Sequence, residues 1–132
     1  MHILIADDHG VVRRGLRDIL ADALPGADFS EACNGDEVLS RLQKARTSLV
    51  VLDISMPVMD AWEFLEQFEK LDAHIKNRVK IHILSSSVNK QDMARAQSNK
   101  NVEYYLIKPL TKESIRLIVH VLNKRLGIET TE

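Results

Sequence analysis

Five short apolar runs alternate with segments of helical periodicity, and this alternation constrains the fold more than any other feature. The runs cover residues 3–6, 27–32, 48–52, 79–84 and 102–107. Short apolar runs of this kind are typical of strands buried on both faces of a parallel sheet. Between the first two runs, Leu16, Leu20 and Ala23 recur at helical spacing. The pattern predicts an α/β fold with five parallel strands, five helices covering both faces of the sheet, and right-handed crossovers.

Most of the predicted helices have a recognisable start or stop residue. These are Pro25-Gly26 for the first helix, Asn34-Gly35 for the second, Asp60 for the third, and Thr111 and Gly127 for the last. The third helix is predicted to run on toward Ile75, and the fourth, over about residues 90–99, has few apolar positions and should be loosely held. We expect one domain over residues 1–127, followed by a short tail over residues 128–132.

Composition narrows the function classes. The 132 residues include 18 Lys and Arg against 19 Asp and Glu, so a net charge of -1 gives no general attraction to nucleic acid or anionic lipid. The single Cys33 excludes an internal disulfide. The start, Met1-His2-Ile3, lacks the features of a secretion signal, and no apolar run reaches membrane-spanning length. We therefore expect a cytoplasmic protein with no membrane contact and no direct nucleic-acid binding.

Polar residues that could bind a ligand or take part in a reaction stand where the predicted strands end. Asp7-Asp8 closes the first run, Asp53 closes the third, Ser85 closes the fourth, and Lys108-Pro109 closes the fifth. The carboxyl ends of parallel strands meet at one edge of a sheet, where open α/β folds keep their ligands. A carboxylate cluster, a hydroxyl and an ammonium are thus predicted to share one rim.

These motifs, in this order, resemble the receiver domains of two-component response regulators, the CheY-like superfamily. The resemblance runs from Ile3 to about Leu126 and includes Met56-Pro57 after Asp53. It implies a flavodoxin-like three-layer sandwich whose parallel sheet has the strand order 2-1-3-4-5. The stretch through Met56 is similar to receivers fused to helix-turn-helix outputs, whereas the chain from Trp62 onward is similar to free-standing receivers.

The resemblance also implies roles for the rim residues. Asp53 is the phosphoacceptor that becomes an aspartyl phosphate, assisted by Lys108 and Ser85. Crowded carboxylates call for a hard divalent cation, hence Mg²⁺. Its implied ligands are Asp8, Asp53 and the backbone carbonyl of Ser55, with Asp7 acting through water. Such a module is a phosphoryl acceptor with self-dephosphorylation rather than a turnover enzyme.

The same resemblance implies a conformational switch and its partners. Ser85 and Tyr105 are the implied switch residues, and the bond before Pro109 is predicted to be cis. The implied donor is a sensor histidine kinase or a phosphotransfer protein, and a downstream protein reads the result. The implied output face combines the helix over residues 90–99, the strand around Tyr105 and the last helix; a homodimer would use the same face.

Two other functions stay open at this stage. The chain could be a pseudo-receiver or scaffold that binds partners without phosphorylation, although a scaffold has no need of the full acidic set. A small hydrolase of the aspartyl-phosphate type would need a substrate pocket that these short loops do not provide. Ser85 lies in the run Ser85-Ser86-Ser87, so its assignment could slip by one residue. Val58 and Ala61 stand where relatives often have glycine, which would cost stability wherever the backbone needs a positive φ.

Overall fold

The computed structural model describes residues 1–86, 89–108 and 110–125. Five parallel strands form one sheet with the order β2-β1-β3-β4-β5, which confirms the predicted fold class. The strands are β1 (His2–Ala6), β2 (Asp28–Ala32), β3 (Leu49–Asp53), β4 (Lys80–Ser85) and β5 (Val102–Ile107). The helices are α1 (Gly10–Ala23), α2 (Gly35–Lys44), α3 (Ala61–Glu69), α4 (Ala73–Lys76), α5 (Lys90–Gln97) and α6 (Lys112–Arg125). The predicted tail over 128–132 and Pro109 lie outside the described residues.

Two apolar clusters, one on each face of the sheet, make the three-layer arrangement. On one face, Leu16 and Leu20 of α1 pack with Ile118 and Leu122 of α6. The opposite face carries α2, α3, α4 and α5, whose buried members include Val38, Leu42, Phe64, Phe68, Ile75 and Ala96. All five residues of β3 are buried, whereas in the edge strand β5 only Leu106 is buried. The sheet is therefore most completely enclosed at its centre.

Local hydrogen bonds explain where the helices begin. Asp60 caps α3 through a reciprocal pair of hydrogen bonds with Glu63, and Thr111 Oγ1 accepts from the backbone N–H of Ser114 at the start of α6. At the end of α1, Gly26 adopts φ 90°, a conformation that favours glycine. The start and stop residues predicted from the sequence are confirmed at these positions. None of the described helices is long and apolar enough to cross a lipid bilayer.

The prediction of five helices, with the third running on toward Ile75, is wrong. Helix α3 ends at Glu69, and a separate four-residue helix, α4, places Ile75 in the core, so the described residues form six helices. The break has a hydrogen-bond cause. The N–H of Leu71 bonds back only three residues to Phe68, and the carbonyl of Asp72 then accepts from the N–H groups of Ile75 and Lys76 to begin a new turn.

Helix α5 is held by few contacts, as its composition predicts. Ala96 is its only buried residue, and the helix starts where Asn89 accepts hydrogen bonds from the backbone N–H groups of Gln91 and Asp92. The guanidinium of Arg95 lies 4.5 Å from the centre of the Trp62 ring, which links α5 to α3. A small buried side chain therefore packs this helix into the core cluster, and one stacking contact joins it to α3.

Candidate functional site

The strand-end residues meet at the carboxyl edge of the sheet, as predicted. Asp7 follows β1, Asp53 ends β3, Ser85 ends β4 and Lys108 follows β5. Parallel pairing aligns these ends, because Asp53 pairs with Leu84 and Ser85 pairs with Ile107. The backbone N–H of Lys108 also donates to the carbonyl of Ser85 at 2.8 Å. The register of the central strands thus fixes the positions of the candidate site residues.

Lys108 joins the two buried carboxylates of this rim. Its Nζ lies 2.9 Å from Asp7 Oδ2 and 3.2 Å from Asp53 Oδ1. The side chains of Asp7 and Asp53 are only 1% and 11% exposed, so both bonds are shielded from water. One ammonium therefore bridges residues that stand 101 and 55 positions away in the sequence.

Burial and charge shift the ionisation of this bridge. Burial raises the pKa of Asp53; the Lys108 ammonium opposes that shift, while the charges of Asp7 and Asp8 add to it. For Lys108, burial disfavours the charged form, but the hydrogen bond that it donates to Asp7 and the charge of Asp53 outweigh it and raise the pKa. Lys108 therefore stays protonated at neutral pH, whereas the environment of Asp53 disfavours the charged form of its carboxylate.

His9 joins the acidic pair, which sequence reasoning did not foresee. Its backbone N–H donates to Asp7 Oδ1 at 2.9 Å, and its Nδ1 lies 3.2 Å from that oxygen and 3.0 Å from Asp8 Oδ1. The ligand atoms of Asp7, Asp8 and His9 all lie within 4.8 Å of one another. The position of His9 directly after two aspartates is the sequence signal for these contacts. His9 is also the residue at the N-terminal boundary of α1.

The donor set fits a hard divalent cation. Asp7, Asp8 and Asp53 provide three carboxylates, and Lys108 is the ammonium that bridges two of them, which leaves an excess of negative charge at a partly buried rim. Carboxylate oxygens with access to water are what Mg²⁺ prefers. The exposed side chain of Asp8 keeps such access, since it is 31% exposed. Ser55 lies in the exposed loop after β3, next to this rim.

Arg13 is a second residue that the sequence did not reveal. Its guanidinium donates to the backbone carbonyl of Asp7 at 2.7 Å and to Glu31 at 3.0 Å, and Arg17 donates to the other oxygen of Glu31 at 2.9 Å. The hydrogen bonds from Arg17 and Arg13 hold the pKa of Glu31 below its usual value. These contacts tie α1 to the ends of β1 and β2 and so fix the chain at Asp7.

The loop between Asp53 and α3 contains a strained turn at Val58. Val58 has φ 67°, and the N–H of Met59 bonds to the carbonyl of Pro57 at 2.6 Å, which is the two-residue closure of a positive-φ γ-turn. The concern raised by missing glycines therefore applies to Val58. It does not apply to Ala61, which is buried in the first turn of α3.

Gly35, at the start of α2, contacts this loop at Met59. Its N–H donates to the carbonyl of Met59 at 2.9 Å. A Cβ at Gly35 would lie 2.9 Å from both the Cγ and the carbonyl oxygen of Met59. The absence of a side chain at the start of α2 thus allows the loop that follows the phosphoacceptor candidate to rest against that helix.

The candidate switch residues Ser85 and Tyr105 lie on β4 and β5. Ser85 is buried and Ser86 is exposed, which favours Ser85 as the rim hydroxyl. Tyr105 packs, half-buried, on the cluster that contains Ala96 of α5, whereas Tyr104 points to the opposite face and lies 5.3 Å from the His82 ring. The predicted cis bond before Pro109 falls outside the described residues.

The chain is similar to known proteins in sequence and in structure. Residues 3–120 match the family model described as the response regulator receiver domain. Chemotaxis protein CheY of Halobacterium salinarum is 30% identical over 115 residues, which cover 86% of this chain and 88% of that protein. The nitrate/nitrite response regulator protein NarL of Escherichia coli is 26% identical over 118 residues, covering 89% of this chain but 52% of that protein. A two-component response regulator from Cytophaga hutchinsonii has the same fold, with a TM-score of 0.82, 24% identity, and coverage of 93% of this chain and 96% of that one.

Proposed function

The chain belongs to the response regulator receiver domain family, and we propose that it acts as a phosphoacceptor in two-component signalling, with Asp53 as the residue that takes the phosphoryl group. The observation that supports this proposal most is the Lys108 bridge between the buried carboxylates of Asp7 and Asp53. A buried carboxylate beside a fixed ammonium is suited to phosphoryl transfer, because charge accumulates on the transferring oxygens.

The chemistry needs little beyond positioning. A carboxylate oxygen of Asp53 attacks the phosphorus of a phosphohistidine; the new P–O bond forms as the P–N bond breaks, and the leaving imidazole takes a proton from solvent. Lys108 neutralises charge on the transferring oxygens, and the Ser85 hydroxyl donates a hydrogen bond to one of them. Hydrolysis of the aspartyl phosphate returns the protein to its starting state, so the chain is a signal carrier rather than a turnover enzyme.

The metal proposed for this site is Mg²⁺. The residues that would hold it are Asp8 and Asp53 directly, the backbone carbonyl of Ser55, and Asp7 through water. When bound, Mg²⁺ supplies positive charge for the phosphoryl oxygens and relieves the repulsion between the carboxylates. His9 stands beside the same oxygens and would limit access to them from the solvent side.

Intact-protein mass spectrometry after incubation with acetyl phosphate and Mg²⁺ tests the acceptor. The parent should gain one phosphoryl group, and Asp53→Asn should gain none, because the amide keeps the shape but lacks the nucleophilic charge. Asp60→Asn is the matched control: it changes a carboxylate in the same loop and keeps the cap of α3, since asparagine also caps helices. Undiminished labelling of Asp53→Asn would reject the assignment, and an unlabelled parent would favour a scaffold.

The proposed output starts at Ser85. A dianionic group on Asp53 would draw the Ser85 hydroxyl inward and open space beneath α5, into which Tyr105 turns. The responsive face would comprise α5, β5 and α6, and it would receive a downstream protein or a second copy of this chain. The phosphoryl donor would be a cytoplasmic sensor histidine kinase or phosphotransfer protein.

Amide chemical shifts with a beryllofluoride mimic of the phosphoryl group test this output. Changes should spread over residues 85–108 and α6. Changes confined to the loops around Asp8 and Asp53 would contradict the switch while leaving phosphorylation itself intact.

A further inference from the structure

A cleft of about 590 Å³ lies at the amino-terminal edge of the sheet, opposite the rim that carries Asp53. It is lined by residues that include His2, Asp28, Arg46, Thr47, Ser48 and Arg78. Thr47 stands two residues before β3 and Asp53 ends that strand, so the cleft lies roughly 20 Å from the phosphoacceptor candidate along the strand direction. We propose that this cleft is a second ligand site, which binds a phosphate or the phosphoryl group of a small phosphomonoester.

The charges of the cleft favour an anion. Arg46 and Arg78 both line it, and neither forms an ion pair within the described part of the chain, although Asp28 lines the same cleft. Three other arginines are engaged, because Arg13 and Arg17 bind Glu31 and Arg95 stacks on Trp62. Two arginines thus line one concave surface, and neither forms an ion pair with Asp28, the carboxylate in the same lining. A planar guanidinium presents paired N–H donors that match the oxygens of a phosphate.

Thr47 and Arg78 of the cleft lining each carry a buried polar atom without a hydrogen-bond partner among the described residues. Thr47 is 1% exposed and its Oγ1 has no partner among the described residues, and the Nε of Arg78 is likewise buried and without a partner. Buried polar groups in native proteins almost always find a partner in the protein, in water or in a bound ligand. The other such atoms in the described residues are the two ring nitrogens of His82, which is buried in β4. A hydroxyl and a guanidinium N–H on one cleft are donors of the kind that hold an oxyanion.

Neighbouring polar groups are already committed elsewhere. The N–H of Ser48 donates to the carbonyl of His2, the carbonyl of Ser48 accepts from the N–H of Lys80, and the His2 ring bonds to Ser30 Oγ at 2.8 Å. Recognition in this cleft therefore depends on Arg46, Thr47 and Arg78. The volume falls in the range typical of small-molecule sites, which leaves room for the organic part of a phosphomonoester as well as the phosphoryl group.

A titration followed by ¹⁵N amide chemical shifts tests the proposal. The full chain, without Mg²⁺, is titrated with inorganic phosphate and separately with glycerol phosphate, with sodium chloride used to keep ionic strength constant. Saturable shifts should cluster on Thr47, Ser48, Arg78 and Val79. Tighter binding of glycerol phosphate would identify a phosphomonoester as the ligand, and equal binding would identify phosphate itself. Equal shifts with chloride alone, or shifts that appear only around Asp53, would overturn the proposal.

Three variants locate the binding groups. Arg78→Gln should weaken phosphate binding by about tenfold, as expected for the loss of one charge-assisted hydrogen bond, and the double variant Arg46→Gln, Arg78→Gln should abolish it. Thr47→Val keeps the side-chain shape and should also weaken binding, while a thermal melt checks that the variant is folded. Arg14→Gln, an exposed arginine on α1, is the matched control and should bind as the parent does. Parental affinity in the double arginine variant would overturn the assignment.

Discussion

Val58 is the residue at which a single substitution should stabilise this protein. It is the one non-glycine residue with positive φ in the described ranges, and its side chain is 80% exposed. In Val58→Gly the backbone keeps the γ-turn closed by Met59, but the Cβ that makes this conformation unfavourable is removed. Because the side chain buries little surface, the substitution forfeits almost no packing.

The expected gain follows from two opposing contributions. A residue with a Cβ in the left-handed region costs roughly 1–2 kcal/mol, and glycine costs roughly 0.5–1 kcal/mol through its greater freedom in the unfolded chain. The difference predicts that Val58→Gly raises the free energy of unfolding by up to roughly 1.5 kcal/mol, with about 0.75 kcal/mol as the central value. For a chain of this length, the melting temperature should rise by about 2–5 °C.

Urea denaturation and thermal melts, without Mg²⁺, measure this change. Val11→Gly is the matched control, because Val11 is 85% exposed but lies in the helix α1. There the same replacement should lower the free energy of unfolding by roughly 0.3–0.5 kcal/mol. The two valine variants should therefore move in opposite directions. A loss of stability in Val58→Gly as large as in Val11→Gly would refute the strain argument.

Three further predictions concern packing and ionisation. Gly35→Ala places a Cβ against Met59 and should cost about 1–3 kcal/mol in urea denaturation, whereas Gly15→Ala, which has open space around it, should not destabilise. Burial raises the pKa of Asp53, so its ionised form destabilises the fold at neutral pH; that penalty is absent below the ordinary pKa of 3.8. Asp53→Asn should therefore be more stable than the parent at pH 7 without Mg²⁺, and the difference should shrink toward pH 4. Mg²⁺ should raise the melting temperature of the parent more than that of Asp53→Asn. Burial lowers the pKa of His82 from 6.5 to about 4, so the folded state excludes a proton that the unfolded state binds. About 3 kcal/mol should be lost as the pH falls from 6.5 to 4, and His82→Leu should lack that loss when the two proteins are unfolded in parallel.

The strands and the rim were predictable because each depends on local pattern. An apolar run that ends in a charged residue marks both a buried strand and the edge where its end emerges, as at Asp53 and Lys108. The break between α3 and α4 was not predictable in the same way. Apolar residues continue at helical spacing through Leu71 to Ile75, and the break comes from the hydrogen bonds that begin at Asp72. Periodicity alone carries no information about which carbonyl accepts next.

Contacts across long separations explain the rest of what the sequence did not indicate. Arg13 and Glu31 are 18 positions apart, and Arg46 and Arg78 share a cleft although they belong to different connections between elements. In the sequence, no local pattern distinguishes the residues of either pair from ordinary charged residues on the solvated surface. The sequence marked both Val58 and Ala61 as positions where relatives often have glycine. Only the φ of 67° shows that the backbone strain lies at Val58 and not at Ala61.

The gradient of burial across the sheet bears on how such a protein diversifies. A replacement in β3 changes a buried position whichever residue is chosen, whereas β5 offers positions such as Glu103, which is exposed and pairs with Lys80 at 3.6 Å. Substitutions along this edge can therefore change the exposed surface of the sheet while the rim residues Asp7, Asp53 and Lys108 stay in place. Under the output proposed above, a reporter dye attached at position 103 would lie on the responsive face, at little cost to folding.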